Sequence, residues 1–274
     1  MLKQRLITAT ILIPIVVWDI LYVSPKWFAG FVSLFVVLAA WEWAGICGFT
    51  TNSRRILYAF TVGLSLVLAY YCHKQYPSYG IWLILVTACL WWIYALWALW
   101  TIQNRSRSVL PTTPLVKALL GILILLPAWI ALVILDSKPE GGKWVIFLLV
   151  LIWTADSSAY FVGKRWGRLK LADKISPSKT WEGVAGALLS NTLITLVFTW
   201  LQGMTWQKTI IFMMLSLLTV IASIVGDLVE SAFKRQAHLK DSGQLLPGHG
   251  GVLDRIDSLT SAAPIFVMGL TLLE

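Results

Sequence analysis

The sequence predicts an all-α integral membrane protein of the polytopic kind, with about nine transmembrane helices, and three observations support this prediction. The chain of 274 residues is 58% hydrophobic, and its mean hydropathy is +0.77. Only 13% of its residues are charged, about half the share that is usual in soluble domains. Apolar runs of about 20 residues, the length that crosses a bilayer as a helix, recur from one end to the other.

Nine apolar segments are long enough to be candidate spans. The second is interrupted by a glycine and the last is short, so eight or ten spans stay open. The first has a basic start but lacks a clear small-residue cleavage site, which favours a retained helix over a signal peptide. The segments are Leu6–Val23, Trp27–Ala44, Ile56–Cys72, Gly80–Trp100, Leu115–Leu135, Trp144–Gly163, Gly183–Gln202, Thr209–Gly226 and Leu259–Leu273.

The distribution of basic residues predicts the orientation. With the N-terminus in the cytoplasm and nine spans, 17 of the 22 Lys and Arg residues fall on the cytoplasmic side. Short loops that retain positive charge stay inside, so this bias predicts a cytoplasmic N-terminus and an external C-terminus. The five outside are Lys26, Lys74, Lys138, Lys143 and Lys208.

The net charge of +9 narrows the choice of partners. The cations lie in short loops and not in a separate basic domain, so we expect a membrane surface or an anionic substrate and no nucleic acid. Cys47, Cys72 and Cys89 lie in or beside apolar runs without metal-ligand spacing, which indicates a packing role.

Two regions follow from this organisation: N-terminal transmembrane helices over 1–140, and a C-terminal transmembrane region over 141–274, where the motifs described below predict a catalytic site. The second region contains two polar loops, 164–182 and 230–257, which should lie on the cytoplasmic side. The first loop carries six basic residues, which form an anion-binding surface or merely follow the positive-inside rule. Its end, "SPSKTWEG", predicts a helix start with Ser178 or Thr180 as the N-cap.

Acidic residues inside spans each require an explanation, because a charge at the bilayer centre costs about 2.5–3.5 kcal/mol. Asp19 and Glu42 lie near span ends beside tryptophans, where interfacial solvation explains them. Asp156 is deeper and belongs either to a buried hydrogen-bond network or to a substrate cavity. The six residues are Asp19, Glu42, Asp156, Glu182, Asp227 and Glu230.

The segment "GDLVES" places Asp227, Glu230 and Ser231 on one helix face, and Lys234 continues that face. Two carboxylates and a hydroxyl are oxygen ligands that suit Mg²⁺. A plain i, i+4 salt bridge between Glu230 and Lys234 is the alternative. It explains Glu230 well but leaves Asp227 unexplained.

The stretch "KDSGQLLPGHGGVLDRIDS", Lys240–Ser258, supplies a second polar element. Glycines on both sides of His249 allow backbone N–H groups to approach a phosphate closely. Asp254 and Asp257 follow on one face of the next helix, with Arg255 between them. Helix capping explains one of these acids but not the whole cluster.

Carboxylates, a glycine-rich loop and many cations on one membrane face indicate phosphoryl or nucleotidyl transfer. The sequence has neither the phosphate-binding pattern G-x-x-x-x-G-K-[ST] nor the nucleophile elbow G-x-S-x-G. A conventional ATPase motor and a serine hydrolase are therefore disfavoured.

The segment Ser231–Ser258 resembles the signature of the phosphatidate cytidylyltransferases, also called CDP-diacylglycerol synthases. The segments "GDLVES", "SPSKTWEG", "ADSSAYFVGKRWG", "LKQRLITA" and "WEWA" look like those of bacterial members, so the resemblance covers the whole chain. The signature positions here are Ser231, Lys234-Arg235, Lys240-Asp241, His249-Gly250-Gly251 and Asp254-Arg255-Ile256-Asp257.

The resemblance implies that phosphatidic acid and CTP form CDP-diacylglycerol and pyrophosphate, with Mg²⁺ and a monovalent cation such as K⁺ as cofactors. It implies that Asp227 and Asp254 bind the metal and act in catalysis with Lys234 and His249. The remaining candidates would bind substrate: Lys179, Ser231, Arg235, Lys240, Asp241, Gly250, Gly251, Arg255 and Asp257.

We expect four partners: CTP, phosphatidic acid, the lipid bilayer and a second copy of the chain in a homodimer. The expected location is the bacterial cytoplasmic (inner) membrane, with the active site facing the cytoplasm. Acyl chains should reach the site sideways, through a groove near the eighth and ninth spans. Two alternatives stay open: a CTP-dependent polyprenol or phytol kinase, and a secondary transporter of an anion or lipid.

Overall fold

The computed structural model describes residues 2–75, 79–105, 108–245, 248 and 250–273. Over these residues the chain forms nine helices and one β-hairpin, so the predicted all-α architecture is confirmed. The helices are α1 (Leu2–Tyr22), α2 (Pro25–Ile46), α3 (Asn52–Gln75), α4 (Tyr79–Arg105), α5 (Pro114–Ser137), α6 (Gly141–Trp166), α7 (Trp181–Leu201), α8 (Trp206–Gln236) and α9 (Leu253–Leu273).

Eight of the helices, α2 to α9, are long and apolar enough to cross a membrane within the described part of the chain. In α1 the side chains are described from residue 10 onward, and there Thr10–Tyr22 is an apolar helix, so the span predicted for Leu6–Val23 stays a prediction. The polytopic membrane class is therefore confirmed, whereas the orientation of the two termini stays a prediction.

Two helix ends lie furthest beyond their predicted apolar limits. Helix α8 continues to Gln236, past the predicted end at Gly226, and α9 begins at Leu253 instead of Leu259. Hydropathy ends a span where charged residues begin, but charged residues of high helix propensity continue the helix into the interface. Asp227, Glu230 and Asp254 are therefore held on rigid helices, and the connection between α8 and α9 covers 237–252.

The loop predicted between α6 and α7 contains an antiparallel hairpin, β1 (Lys170–Ala172) and β2 (Ser176–Thr180). Of the two predicted N-cap residues the structure selects Thr180, whose Oγ1 accepts a hydrogen bond of 3.1 Å from Gly183 N. A Cβ atom at Gly183 would lie 2.8 Å from the carbonyl oxygen of Ala159. The absence of a side chain there lets α7 pack closely on α6.

Packing between α2, α3, α5 and α8 supports the site. Trp43 Nε1 and Tyr58 Oη donate hydrogen bonds of 2.9 Å to the carbonyls of Lys117 and Ala118 in α5. Trp43 also contacts Phe233 of α8 edge to face, with 5.2 Å between ring centroids. The helices before residue 140 thus contact those after it, and the division into two regions stays a prediction.

Candidate functional site

Charged residues converge at one end of the helix bundle, which we call the site face. This face carries the C-terminal ends of α2, α4, α6 and α8 and the N-terminal ends of α7 and α9. The hairpin and the connection 237–252 join helices at this face. Both polar segments singled out in the sequence therefore meet there.

Asp227 is the more accessible carboxylate of α8 at this face. Its Oδ2 lies 2.5 Å from Lys179 Nζ, and the two side chains are 27% and 24% exposed. Ser231, one turn further along α8, donates a hydrogen bond of 3.4 Å to Asp227 Oδ1. The predicted shared face is confirmed, and β2 supplies its counter-cation.

Lys234 bridges two carboxylates in a nearly buried ion cluster. Its Nζ lies 2.9 Å from Glu230 Oε1 and 2.6 Å from Asp254 Oδ1. None of the three side chains is more than 10% exposed. The salt bridge between Glu230 and Lys234, which the sequence offered as the alternative to a Mg²⁺-ligand role for Glu230, forms, and Lys234 in addition connects α8 to α9.

Asp254 orders the connection between α8 and α9. Its Oδ2 accepts hydrogen bonds from the backbone N–H of Ser242, at 3.0 Å, and of Gly251, at 2.8 Å. Gly250 has φ +82°, and a Cβ there would lie 2.8 Å from Asp254 Oδ2. A glycine is therefore required beside this carboxylate. The predicted approach of these backbone N–H groups to a phosphate stays a prediction, because in this structure the Gly251 N–H binds Asp254.

Asp257 and Asp156 complete the acidic group around Asp227. Asp257 accepts a 2.7 Å hydrogen bond from Ser258 N and interacts electrostatically with Asp227 and Glu230. Asp156 of α6 interacts electrostatically with Asp227, as well as with two nearby cations. The site thus combines carboxylates from three helices.

A cavity of about 500 Å³ begins beside this acidic group. Its walls are mostly apolar and come from α1, α2, α5, α6 and α9. Asp156, Ser157 and Arg255 line the cavity on the side of the site face. Asp19, near the C-terminal end of α1, lines its other end. Asp156 therefore faces a cavity, whereas Ser158 makes the helix–helix bond, accepting 2.8 Å from Ser190.

Glu42 of α2 is a site residue that the sequence did not assign. It is only 3% exposed, so interfacial solvation does not explain it. Its Oε2 accepts hydrogen bonds from Leu253 N at 2.8 Å and Ser242 Oγ at 3.1 Å. Gly243 and Gly251 leave no room for a Cβ against its carboxylate. Two sequence signals pointed to it: its position in an apolar helix between two tryptophans, and the resemblance of "WEWA" to bacterial members of the family.

We expect Glu42→Gln to loosen the 237–252 connection, because removing the charge weakens two hydrogen bonds that hold it. Hydrogen exchange at Ser242 and Leu253 should become faster while exchange in α5 is unchanged. Glu140→Gln, an exposed change far from this connection, is the control. Equal protection in Glu42→Gln and wild type would show that Glu42 does not hold the segment.

The remaining predicted residues divide into two groups. Arg255 lines the cavity, whereas Arg235, Lys240 and Asp241 are exposed on the connection side of the site. Arg235 Nη1 donates to Leu239 O at 3.5 Å. Among the residues described, no hydrogen bond or ion pair joins these three to Asp227 or Asp254. His249 lies outside the described residues.

Fold and site together define a polytopic membrane protein whose carboxylates, lysines and glycine loop are suited to phosphate groups beside an apolar cavity. Comparison with known proteins supports this description. The profile of the cytidylyltransferase family matches residues 3–273, and the chain belongs to this family.

Three curated relatives carry the same name. A phosphatidate cytidylyltransferase from Pseudomonas aeruginosa is 43% identical over 97% of this chain and 96% of its own length. A phosphatidate cytidylyltransferase from Haemophilus influenzae is 36% identical, with 97% of both chains covered. A third, from Bacillus subtilis, is 44% identical over 48% of this chain and 49% of its own.

Proposed function

We propose that the protein is a phosphatidate cytidylyltransferase, which joins phosphatidic acid to the CMP part of CTP and releases pyrophosphate. One observation carries the proposal: the acidic and basic cluster around Asp227 adjoins, through Asp156 and Arg255, an apolar cavity of about 500 Å³. Water-soluble and lipid substrates can meet only where such surfaces adjoin. The names of the relatives support the same activity.

In the proposed reaction, a phosphate oxygen of phosphatidic acid attacks the α-phosphorus of CTP. The bond from that phosphorus to the oxygen bridging to the β-phosphate breaks, and pyrophosphate leaves with the bonding electrons. The attacking oxygen is already anionic near neutral pH, so no side chain has to remove a proton. Binding, alignment and charge neutralisation are the main tasks of the protein.

The residues present fit a Mg²⁺ ion. The Asp227 carboxylate and the Ser231 hydroxyl share one helix face, and Asp227 is accessible enough to take a ligand. In the described part of the chain, no three His, Cys, Asp or Glu side chains form a complete metal cage. Mg²⁺ usually binds through one or two carboxylates plus substrate phosphates, so an incomplete cage is expected.

Asp227 would hold the ion, with Asp254 as the second proposed ligand across the cluster. When bound, Mg²⁺ would neutralise phosphate charge as it develops. Asp254 also accepts backbone hydrogen bonds from Ser242 and Gly251, which fixes its orientation. A role for K⁺ stays a proposal to which the described residues assign no ligand.

Lys179 and Lys234 are the cations best placed for the phosphates of CTP. Lys179 is partly exposed at Asp227, where a phosphate can reach it. Lys234 is held by two carboxylates, so it would act mainly by fixing Asp254. His249 and the exposed Arg235 and Lys240 remain candidate ligands of the triphosphate.

The cavity would receive the acyl chains, with Arg255 at its polar end meeting the lipid phosphate. This proposal differs in part from the expected groove near the eighth and ninth spans. Helix α9 lines the cavity, but none of its described lining residues comes from α8. Instead α1, α2, α5 and α6 form the other walls, an arrangement that only tertiary packing determines.

Filling the cavity should weaken lipid binding selectively. We expect Leu149→Trp, which projects into the cavity, to raise KM for long-chain phosphatidic acid about tenfold. KM for CTP should be unchanged. The matched control is Val150→Trp on the same helix, because Val150 lines a different groove. A Val150→Trp effect as large as that of Leu149→Trp would contradict this assignment.

Three further statements belong to the same proposal. The relatives are bacterial, which supports the bacterial inner membrane as the location. The bias of basic residues supports a site face in the cytoplasm, where CTP is present. A homodimer rests on the sequence resemblance, and light scattering of the purified protein tests it.

The function is tested by incubating purified protein with phosphatidic acid, CTP and Mg²⁺ and measuring pyrophosphate. We expect release that requires the lipid. Pyrophosphate release without the lipid, or none with it, would contradict the proposal. Transport of substrate without any release would instead favour the transporter.

A further inference from the structure

The six basic residues of the 164–182 segment have different positions in the structure. Lys179 faces Asp227, Lys174 Nζ donates to Gln103 O at 2.7 Å, and Lys170 Nζ donates to Pro177 O at 2.6 Å. The other three, Lys164, Arg165 and Arg168, are exposed at the end of α6 and just after it. They are not used by the proposed reaction.

Two of these cations continue the lipid-facing surface of α6. Tyr160 and Phe161 are 60% and 67% exposed on this membrane helix, so they face lipid. Lys164 and Arg165 lie one turn further on the same faces, and Lys164 Nζ stands 5.6 Å from the centroid of the Tyr160 ring. Cations at the end of such a face reach the level of lipid headgroups.

Exposed apolar side chains accompany the cations where α6 ends and α7 begins. Trp166 and Leu169 are 63% and 65% exposed. Trp181, which is 55% exposed, begins a lipid-facing row of α7 that continues through Ala185 and Leu189. Its backbone N–H donates to Leu169 O at 2.9 Å, so Leu169 and Trp181 lie side by side.

We propose that this surface, Lys164–Leu169 with Trp181, binds anionic lipid headgroups. These belong to the leaflet that contains the C-terminal end of α6 and the N-terminal end of α7. The combination of exposed cations with exposed Trp and Leu is typical of segments that lie in a charged membrane interface. If these cations served only to orient the helices in the membrane, no exposed leucine such as Leu169 would be needed after the end of α6. The surface is also continuous with the lipid-facing rows of both helices.

Headgroup binding also bears on the site. The hairpin is attached at one point to Gln103 of α4 through Lys174 and at another to Asp227 of α8 through Lys179. A leaflet that holds the hairpin therefore holds Lys179 against Asp227. Given the proposed function, anionic lipids that are not substrates should raise the reaction rate at a fixed fraction of phosphatidic acid.

The test is a spin label at Asp173→Cys on the hairpin, in protein whose three cysteines are replaced, in phosphatidylcholine nanodiscs. We expect added phosphatidylglycerol to lower the exposure of the label to a water-soluble nickel chelate. Arg165→Gln with Arg168→Gln should abolish that change. Arg54→Gln with Arg105→Gln, two exposed cations of other helices, should preserve it.

Three results would overturn the proposal: no response of the wild-type label to phosphatidylglycerol, an equal response in Arg165→Gln with Arg168→Gln, or the same response to inorganic phosphate in neutral nanodiscs. The first measurement needs only the labelled protein with its native arginines and therefore does not depend on how the arginine variants fold. The label reports membrane contact, not catalysis. A protein without cytidylyltransferase activity could still show the response, which separates this inference from the proposed function.

Discussion

Asp227→Asn should lower lipid-dependent pyrophosphate release by at least about 100-fold, the loss expected when a principal electrostatic group of a polar site is removed. Asparagine has nearly the same shape but removes the charge that faces Lys179 and the proposed metal. Initial rates over a range of Mg²⁺ concentrations measure the effect. Excess Mg²⁺ should not restore the wild-type rate.

Folding does not account for this expected loss, because Asp227 is partly exposed and its ion pair can be solvated. The thermal midpoint of Asp227→Asn should therefore stay close to that of wild type. Asp173→Asn, at the exposed tip of the hairpin, is the matched control and should keep full activity. Full activity in Asp227→Asn would disprove its assignment as a metal ligand.

The second large effect concerns stability. Lys234→Met should destabilise the protein by about 3–5 kcal/mol, because Glu230 and Asp254 would lose their shared cation while nearly buried. Unfolding of the purified protein in mixed detergent micelles measures the change in the free energy of unfolding. Loss of Lys234 should also loosen the contact between α8 and α9.

Lys143→Met is the control for this second prediction. Lys143 also pairs with a glutamate on its own helix turn, but both side chains are more than half exposed. Solvent screens such a pair, so its removal should cost less than about 1 kcal/mol. Similar losses in the free energy of unfolding for Lys143→Met and Lys234→Met would contradict the prediction that the bridge between α8 and α9 stabilises the protein more than an exposed ion pair does.

Local sequence patterns predicted those parts of the site that a single helix creates. The spacing of Asp227 and Ser231, and of Glu230 and Lys234, determines which side chains share a face of α8. Apolar runs likewise predicted all nine helices. They missed the ends of α8 and α9, because hydropathy detects lipid contact and not helix continuation.

Local sequence patterns could not predict contacts between segments that are far apart in the chain. Glu42 accepts its hydrogen bond from Leu253, 211 positions away, and only the packing of α2 against α9 brings them together. Lys179 reaches Asp227 because the hairpin folds back over α8. The cavity needs five helices at once, so its walls could not be assigned from the sequence of any one span.

The central claim, that CTP and phosphatidic acid react with each other at this site, is tested most directly by label transfer. Purified protein is given phosphatidic acid with CTP labelled at the α-phosphorus, and separately with CTP labelled at the γ-phosphorus. We predict that the α-label appears in the lipid product and the γ-label in pyrophosphate. A γ-label in the lipid, with CDP as the other product, would contradict the claim and identify a CTP-dependent lipid kinase.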